Sequence, residues 1–451
     1  MRIKKRGDFH RLFFNGWKMG LEPTTHGTTI RYSNQLSYIH RLNSNAKIQL
    51  FSYENQVRQY FFLFLFFKGK NKMNNNEILS PNKIAFQRFR KNITGVISLI
   101  FIILCGFIAL FAYFIIPDKT PYSNTQILEI STRKPGFEVD MLLVPKQNIV
   151  ENEGFLSQLL YGKPSSYRQI PFDSIEVDKE KTTVYVYNPD KNCQNNAEII
   201  SNSELAPEIT FNNDEDASHY INSNCVEHRK FILGTDQFGR DFLSRLLLGT
   251  RISFSVGFIA VFMSILIGIF IGSLGGFFRG KVDDVMVWPI NVVWSIPTLL
   301  IVIAITFVLG KGVVQVFIAV GLTMWVEVAR VTRGQILSVR ETTFVEAGKA
   351  LGFNNARIIL RHIIPNIINP IIVISAANFA SAILLEAGLS FLGIGVQPPM
   401  PSWGSMIKEN YAYIILNDAY LAISPGIAIM LLVLAFMLLG NALRDALDVK
   451  K

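Results

Sequence analysis

Six uncharged stretches, separated by polar and charged segments, dominate the chain from residue 94 onward. They run from about Thr94 to Ile116, between Arg251 and Arg279, between Asp284 and Lys311, from Val313 to Val326, from Ile367 to Leu385, and from about Tyr420 to Leu443. Five of them reach the roughly 20 residues that an α-helix needs to cross the hydrocarbon layer. The fourth is shorter and must be completed by flanking residues, through Val328. The pattern predicts an all-α polytopic membrane protein with six transmembrane helices. Pro289 and Pro297 should kink the third and Pro425 the sixth, and the glycines crowded into the second should let helices pack closely.

The longest polar interval, 118–250, predicts a small extracytoplasmic domain, α+β or β-rich, inserted after the first span. The alternation in TTVYVY (182–187) and the short apolar pieces at 141–144 and 199–201 read as strands. The interval closes with LGTDQFGRDFLSRLLLGTRIS (233–253), a Gly-punctuated turn followed by an amphipathic helix that leads into the second span. Cys193 and Cys225 lie in this interval, where a disulfide between them would persist.

Charge sets the orientation. Lys83, Arg88, Arg90 and Lys91 precede the first span, and the 330–366 interval carries six Arg or Lys, so these segments and both termini are placed in the cytoplasm. The interval 118–250 holds 20 acids against 13 bases and is placed outside. The location predicted is a bacterial cytoplasmic (inner) membrane, crossed several times. The formal net charge of +10 does not imply an anionic partner such as nucleic acid. Residues 1–72 hold 13 bases and three acids, a difference of 13 − 3 = +10, which leaves the membrane body neutral. That first segment lacks a span-length apolar run and reads as a disordered basic tail or an untranslated extension, with translation starting at Met73. The chain then divides into 1–72, a cytoplasmic tail at 73–93, a first helix at 94–116, the insertion at 117–250 and a five-helix core at 251–449.

Half of the residues are hydrophobic and 17% charged, against about a quarter charged in soluble domains. Three Cys and six scattered His suggest no metal site. GGFFRGKV (275–282) imitates a phosphate-binding loop, but Val282 stands where a Ser or Thr must ligate Mg²⁺, and no strand precedes it. No catalytic constellation is evident, so the chain is not expected to be an enzyme or to bind a cofactor. Glu386 is an intramembrane carboxylate near the end of the fifth span and a functional candidate by default; interfacial solvation is the plainer reading.

The polar stretch TFVEAGKALGFNNARIILRHIIPN (343–366) stands out between the fourth and fifth spans. Phe344, Ala347, Ala350 and Leu351 form one apolar face of a short helix, and Gly352 sits where a left-handed residue would end it. Asn354 or Asn355 can cap a second helix, ARIILRHII, which Pro365 terminates or kinks. The result is a compact angled knob.

This stretch resembles the EAA loop of binding-protein-dependent ABC importer permeases, through Glu346, Ala347, Gly352 and Pro365. Gly348 and Ile364 depart from the family pattern, and Gly348 should weaken the helix and leave the interface slightly open. LGTDQFGRDFLSRLLLGTRIS, ASAILLEAGLSFLGIGVQPPMPSWGSMI (380–407) and LLGNALRDALD (438–448) are similar to the second permease subunit of dipeptide, oligopeptide and nickel importers.

The resemblance implies the type I importer permease fold. It also implies a homologous second permease subunit, two cytoplasmic ABC ATPase subunits that bind the ATP and Mg²⁺, an extracytoplasmic substrate-binding protein, and lipid. On this reading the knob, with Glu346, Ala347, Gly348, Gly352, Asn355, Arg357 and Pro365, docks on the ATPase and transmits its closure to the spans. The cargo would be di- or oligopeptides, with nickel or another small solute as the alternative. A membrane-anchored sensor is the competing class.

Overall fold

The computed structural model describes residues 81–146, 154–190, 196–207, 209–416 and 418–448. The expectations for 1–72 and for a start at Met73, and the Cys193 end of the proposed disulfide, lie outside the described residues. A short helix α1 (Pro81–Lys91) leads to the first span, α2 (Ile93–Ile115). Asn92 caps α2 by accepting the Gly95 N–H at 3.0 Å, which satisfies one of the donors that a helix start leaves unpaired. One face of α2 is buried through Ser98, Ile102, Cys105, Ala109 and Ala112. The opposite row, Ile97, Ile100, Leu104, Phe107 and Phe114, is exposed and apolar, as a lipid-facing surface must be.

The insertion folds around a five-stranded antiparallel sheet. Its strands are β1 (Phe137–Pro145), β2 (Tyr167–Val177), β3 (Lys181–Val186), β4 (Ala197–Ser201) and β5 (Val226–Phe231), in the order β4-β3-β2-β1-β5. The three apolar pieces read from the sequence fall on β1, β3 and β4. Alternation along β1 sends Val139 and Met141 to one face, with Ile127, Ile130 and Phe231. Leu142 and Val144 go to the other, with Ile170, Val184 and Ile221. A seven-residue helix α3 (Phe155–Tyr161) joins β1 to β2. Two further helices, α4 (Asn202–Leu205) and α5 (Asp214–Asn224), complete the domain.

The core begins earlier than the charge pattern suggested. Helix α6 (Phe242–Phe278) runs for 37 residues and takes in Arg245 and Arg251, because Arg245 is buried in an ion network rather than facing solvent. The third stretch is not one kinked helix. It forms α7 (Gly280–Ser295) and α8 (Thr298–Leu309), bent by 95° at a break that contains Pro297. Pro289 and Pro425 lie inside continuous helices. The fourth span, expected to stop near Val328, is α9 (Val313–Val339), 27 residues long. Its charges are accommodated: Arg333 makes a two-pronged pair with Asp283 at 2.6 Å, and Arg330 lies over the Trp294 ring. Among the described residues five helices are long and apolar enough to cross a membrane, or six if the bent pair is one span.

Close packing of α6 on α9 uses the glycines. A Cβ on Gly268 would lie 2.5 Å from the Val328 side chain, and one on Gly272 would lie 2.5 Å from the Ala329 carbonyl oxygen. The backbones touch where no side chain intervenes. The decoy at 275–282 is the end of α6 and the corner into α7, a helix–helix turn rather than a strand-to-helix loop.

Candidate coupling site

The knob leaves the end of α9 through Thr342 and forms α10 (Thr343–Ala350). It closes with a Schellman turn: Gly352 N–H donates to Lys349 O at 2.9 Å and Phe353 N–H donates to Gly348 O at 3.1 Å. Gly352 has φ +78°, a conformation that a residue with a Cβ adopts only at a cost. Asn354, rather than Asn355, caps the next helix, its Oδ1 accepting the Arg357 N–H at 2.8 Å. Helix α11 (Asn355–Arg357) passes through a π-helical turn, Ile358–Ile363, directly into α12 (Ile364–Phe391). Pro365 therefore neither ends nor interrupts the helix. The wide π-helical turn just before it makes room for its ring inside the continuous run. The second arm of the knob is thus continuous with the fifth span.

The apolar face read from the spacing is not the buried face of α10. Val345 and Gly348 point inward, whereas Phe344, Ala347, Ala350 and Leu351 are exposed, Leu351 by 69%. Val345, Ile358, Ile359 and Ile363 pack on Phe277 and Ile336 from α6 and α9, so the inner face is pinned to two spans. Gly348 faces this inner side, and a Cβ there would meet Phe353 at 3.6 Å and Ile358 at 3.8 Å, ordinary contact distances. Its departure from Ala therefore does not open the outer surface, contrary to expectation. The outer surface combines Phe344, Ala347 and Leu351 with the exposed Glu346. Phe353 stacks on His362 with ring centroids 5.7 Å apart, and the Arg357 guanidinium lies 4.2 Å from the Phe353 ring centre.

Glu386 is not solvated at an interface. It is fully buried in α12, accepting hydrogen bonds from Ser390 at 2.8 Å and from Ser253 of α6 at 3.2 Å. It ties two spans together where the chain enters the 392–402 loop. Cys225 is buried at the end of α5, with its Sγ 3.8 Å from the Leu205 carbonyl; burial pushes the thiol pKa up.

A third cluster escaped the sequence reading. Arg240 donates to Asp236 at 2.6 Å and to Glu409 at 2.8 Å, and Arg245 lies 3.6 Å from both carboxylates. Both guanidiniums are almost wholly buried. The cluster joins the 234–241 turn to helix α13 (Trp403–Asn410), some 170 residues away in sequence. The i, i+4 spacing of Asp236 and Arg240 was the one sequence signal for it.

Residues 264–451 match the family model for the binding-protein-dependent transport system inner membrane component. Residues 80–135 match that for the N-terminal TM domain of oligopeptide transport permease C. The glutathione transport system permease protein GsiD of Pectobacterium atrosepticum is 39% identical over 218 residues, covering 48% of this chain and 72% of that protein. The chain belongs to the permeases of binding-protein-dependent ABC importers. The dipeptide transport system permease protein DppC of Alkalihalophilus pseudofirmus is also 39% identical, over 217 residues, covering 48% of this chain and 71% of that protein. Among solved structures, an inward-facing form of the MetNI methionine ABC transporter aligns with 18% identity and a TM-score of 0.39. It covers 45% of this chain and 96% of that one. Membership makes the chain a multi-pass membrane permease and not an enzyme. The larger family match contains the whole knob, and neither match reaches 136–263, where most of the sheet insertion lies.

Proposed function

We propose that this permease moves di- or oligopeptides into the cytoplasm, driven by ATP hydrolysis on two separate ABC ATPase subunits. A homologous second permease subunit completes the pore, and an extracytoplasmic substrate-binding protein delivers the cargo. The knob 343–366 is the docking element for one ATPase subunit, with ATP and Mg²⁺ held by that partner. The observation that carries this reading is the split character of α10. Its inner face is locked to α6 and α9, and its outer face presents Phe344, Ala347 and Leu351, all exposed, around the exposed Glu346. A partner seated there pushes on the spans directly, because the second arm runs without a break into α12. The basic residues at 83–91 and 330–366 support a cytoplasmic location for the knob and both termini. Relatives named for dipeptide and glutathione transport support peptide-class cargo.

Proteoliposomes containing the permease pair, the ATPases and the binding protein test this with Glu346→Lys. Peptide uptake should fall sharply while the variant still inserts and assembles its spans. Unchanged ATP-driven uptake in that variant would remove the knob from the coupling route. Uptake of Ni²⁺ in place of peptides by the unmodified assembly would overturn the cargo assignment.

A further inference from the structure

Helix α3 has a surface that the described residues of the insertion leave exposed. Phe155, Leu156 and Leu160 are 66%, 70% and 50% exposed, and Tyr161 is 60% exposed. At 100° per residue Phe155, Leu159, Leu156 and Leu160 fall on one contiguous arc, with Ser157 and Gln158 on the other side. The helix is held where the first span ends. The Phe155 ring lies 5.4 Å from that of Phe114, which belongs to the exposed apolar row of α2.

Its orientation is fixed by Arg251. The guanidinium donates to the carbonyls of Leu159 and Leu160 at 3.0 Å each, taking up two of the acceptors that a helix end leaves unpaired, and lies 5.6 Å from the Tyr113 ring centre. Gly162 then turns the chain with φ +81°, so close to the span that a Cβ would sit 2.6 Å from the Lys119 carbonyl oxygen. Lys163 N–H donates to that same oxygen at 2.9 Å. Lys119 and Lys163, both exposed, therefore emerge at the level of the helix.

We propose that α3 is an interfacial helix that lies on the bilayer, with Phe155, Leu156 and Leu160 inserted in the lipid boundary beside the first span, seating the sheet insertion on the membrane surface. Three features fit lipid. The apolar arc meets the lipid-facing row of α2 at the Phe114–Phe155 ring contact. The exposed Phe155, Leu156 and Leu160 are all apolar, with the ring of Phe155 at the end nearest the first span. Lys119 and Lys163 stand where headgroup phosphates would meet them. The sheet is thereby fixed relative to the spans on the α2 side as well as at the Asp236–Arg240–Glu409 cluster.

The test uses the full chain in phosphatidylethanolamine/phosphatidylglycerol proteoliposomes, with Cys105, Cys193 and Cys225 replaced by Ser and a nitroxide attached at Leu156→Cys. Collisions with oxygen, which partitions into lipid, should exceed collisions with a water-soluble nickel chelate. The order should be reversed at Ile199→Cys, on the exposed side of β4. Dominant collisions with the nickel chelate at position 156 would put the helix in water and overturn the proposal. Shielding from both reagents would mean a protein partner covers it and would overturn it equally. If Leu156→Cys fails to reconstitute, Leu160→Cys is read by the same criteria.

Discussion

The N–H of Phe353 donates to the carbonyl of Gly348 at 3.1 Å, and this bond across the Gly352 turn fixes the angle between the two arms of the knob. One arm, α10, rests on α6 and α9 through Val345; the other is the beginning of α12. The angle sets how a load on the exposed face reaches the spans. In the proposed mechanism, stiffness at this turn is what converts ATPase closure into span movement.

Substitutions at Gly352 separate strain from breakage. Gly352→Ala meets no atom within 4 Å and suffers only the left-handed backbone cost, about 1–2 kcal/mol. It should lower the melting temperature modestly and retain partial uptake. Gly352→Pro removes the N–H bonded to Lys349 and cannot adopt the positive φ, so ATP hydrolysis should continue while uptake is lost. Parallel uptake and phosphate-release measurements check both.

Gly348→Ala should stabilise. The added methyl makes ordinary contact with Phe353 and Ile358, and a helical Gly costs about 1 kcal/mol relative to Ala. A higher melting temperature with uptake intact is the expected result. Loss of uptake would mean that Gly348 faces the partner after all.

Breaking the buried ion cluster from one side is costly. Glu409→Gln leaves the buried Arg240 and Arg245 with one carboxylate, Asp236, between them, and should destabilise by about 3–5 kcal/mol. Replacing Arg240 by Met in the same chain should recover part of that loss. A double-mutant cycle on thermal unfolding measures the recovery, and strictly additive losses would contradict the coupling.

The sheet carries a pH-sensitive contact. His228 lies 2.7 Å from Asp140 and 3.7 Å from Glu138, and Lys230 also pairs with Glu138. The hydrogen bond to Asp140, followed by the charges of both carboxylates, raises the His228 pKa, whereas Lys230 chiefly lowers that of Glu138. The His228 contribution is fully present below its ordinary value near 6.5 and is lost as pH rises through the raised value. The Glu138 contribution is present above its ordinary value and is lost as pH falls through the lowered one. Both groups are solvent-exposed, so the effect belongs to titration more than to stability. NMR of labelled histidine should show His228 titrating above the ordinary range, and Asp140→Asn should bring it back down.

Legibility followed the range of the physics. Hydrophobic runs long enough to span, alternation on β3, short apolar pieces on β1 and β4, and a left-handed Gly352 are local properties and could be read directly. The fourth span looked short because Glu327, Arg330 and Arg333 interrupt it. Only the fold supplies Asp283 and Trp294 to receive two of those charges. Glu386 looked interfacial because Ser253 is 133 residues away in sequence. The apolar face of α10 was visible as a pattern, but its side was not, since periodicity does not distinguish a face that packs inward from one left for a partner.

In the proposed transporter the outer face of α10 meets an ATPase subunit. A photo-crosslinking amino acid at Leu351, in membranes carrying the complete transporter, tests it most directly. A crosslink to the ATPase whose yield changes on ATP binding is expected, and none from the same probe at Ile199 on the sheet. A probe at Leu351 that captures only lipid, or remains uncrosslinked with and without ATP, would contradict it.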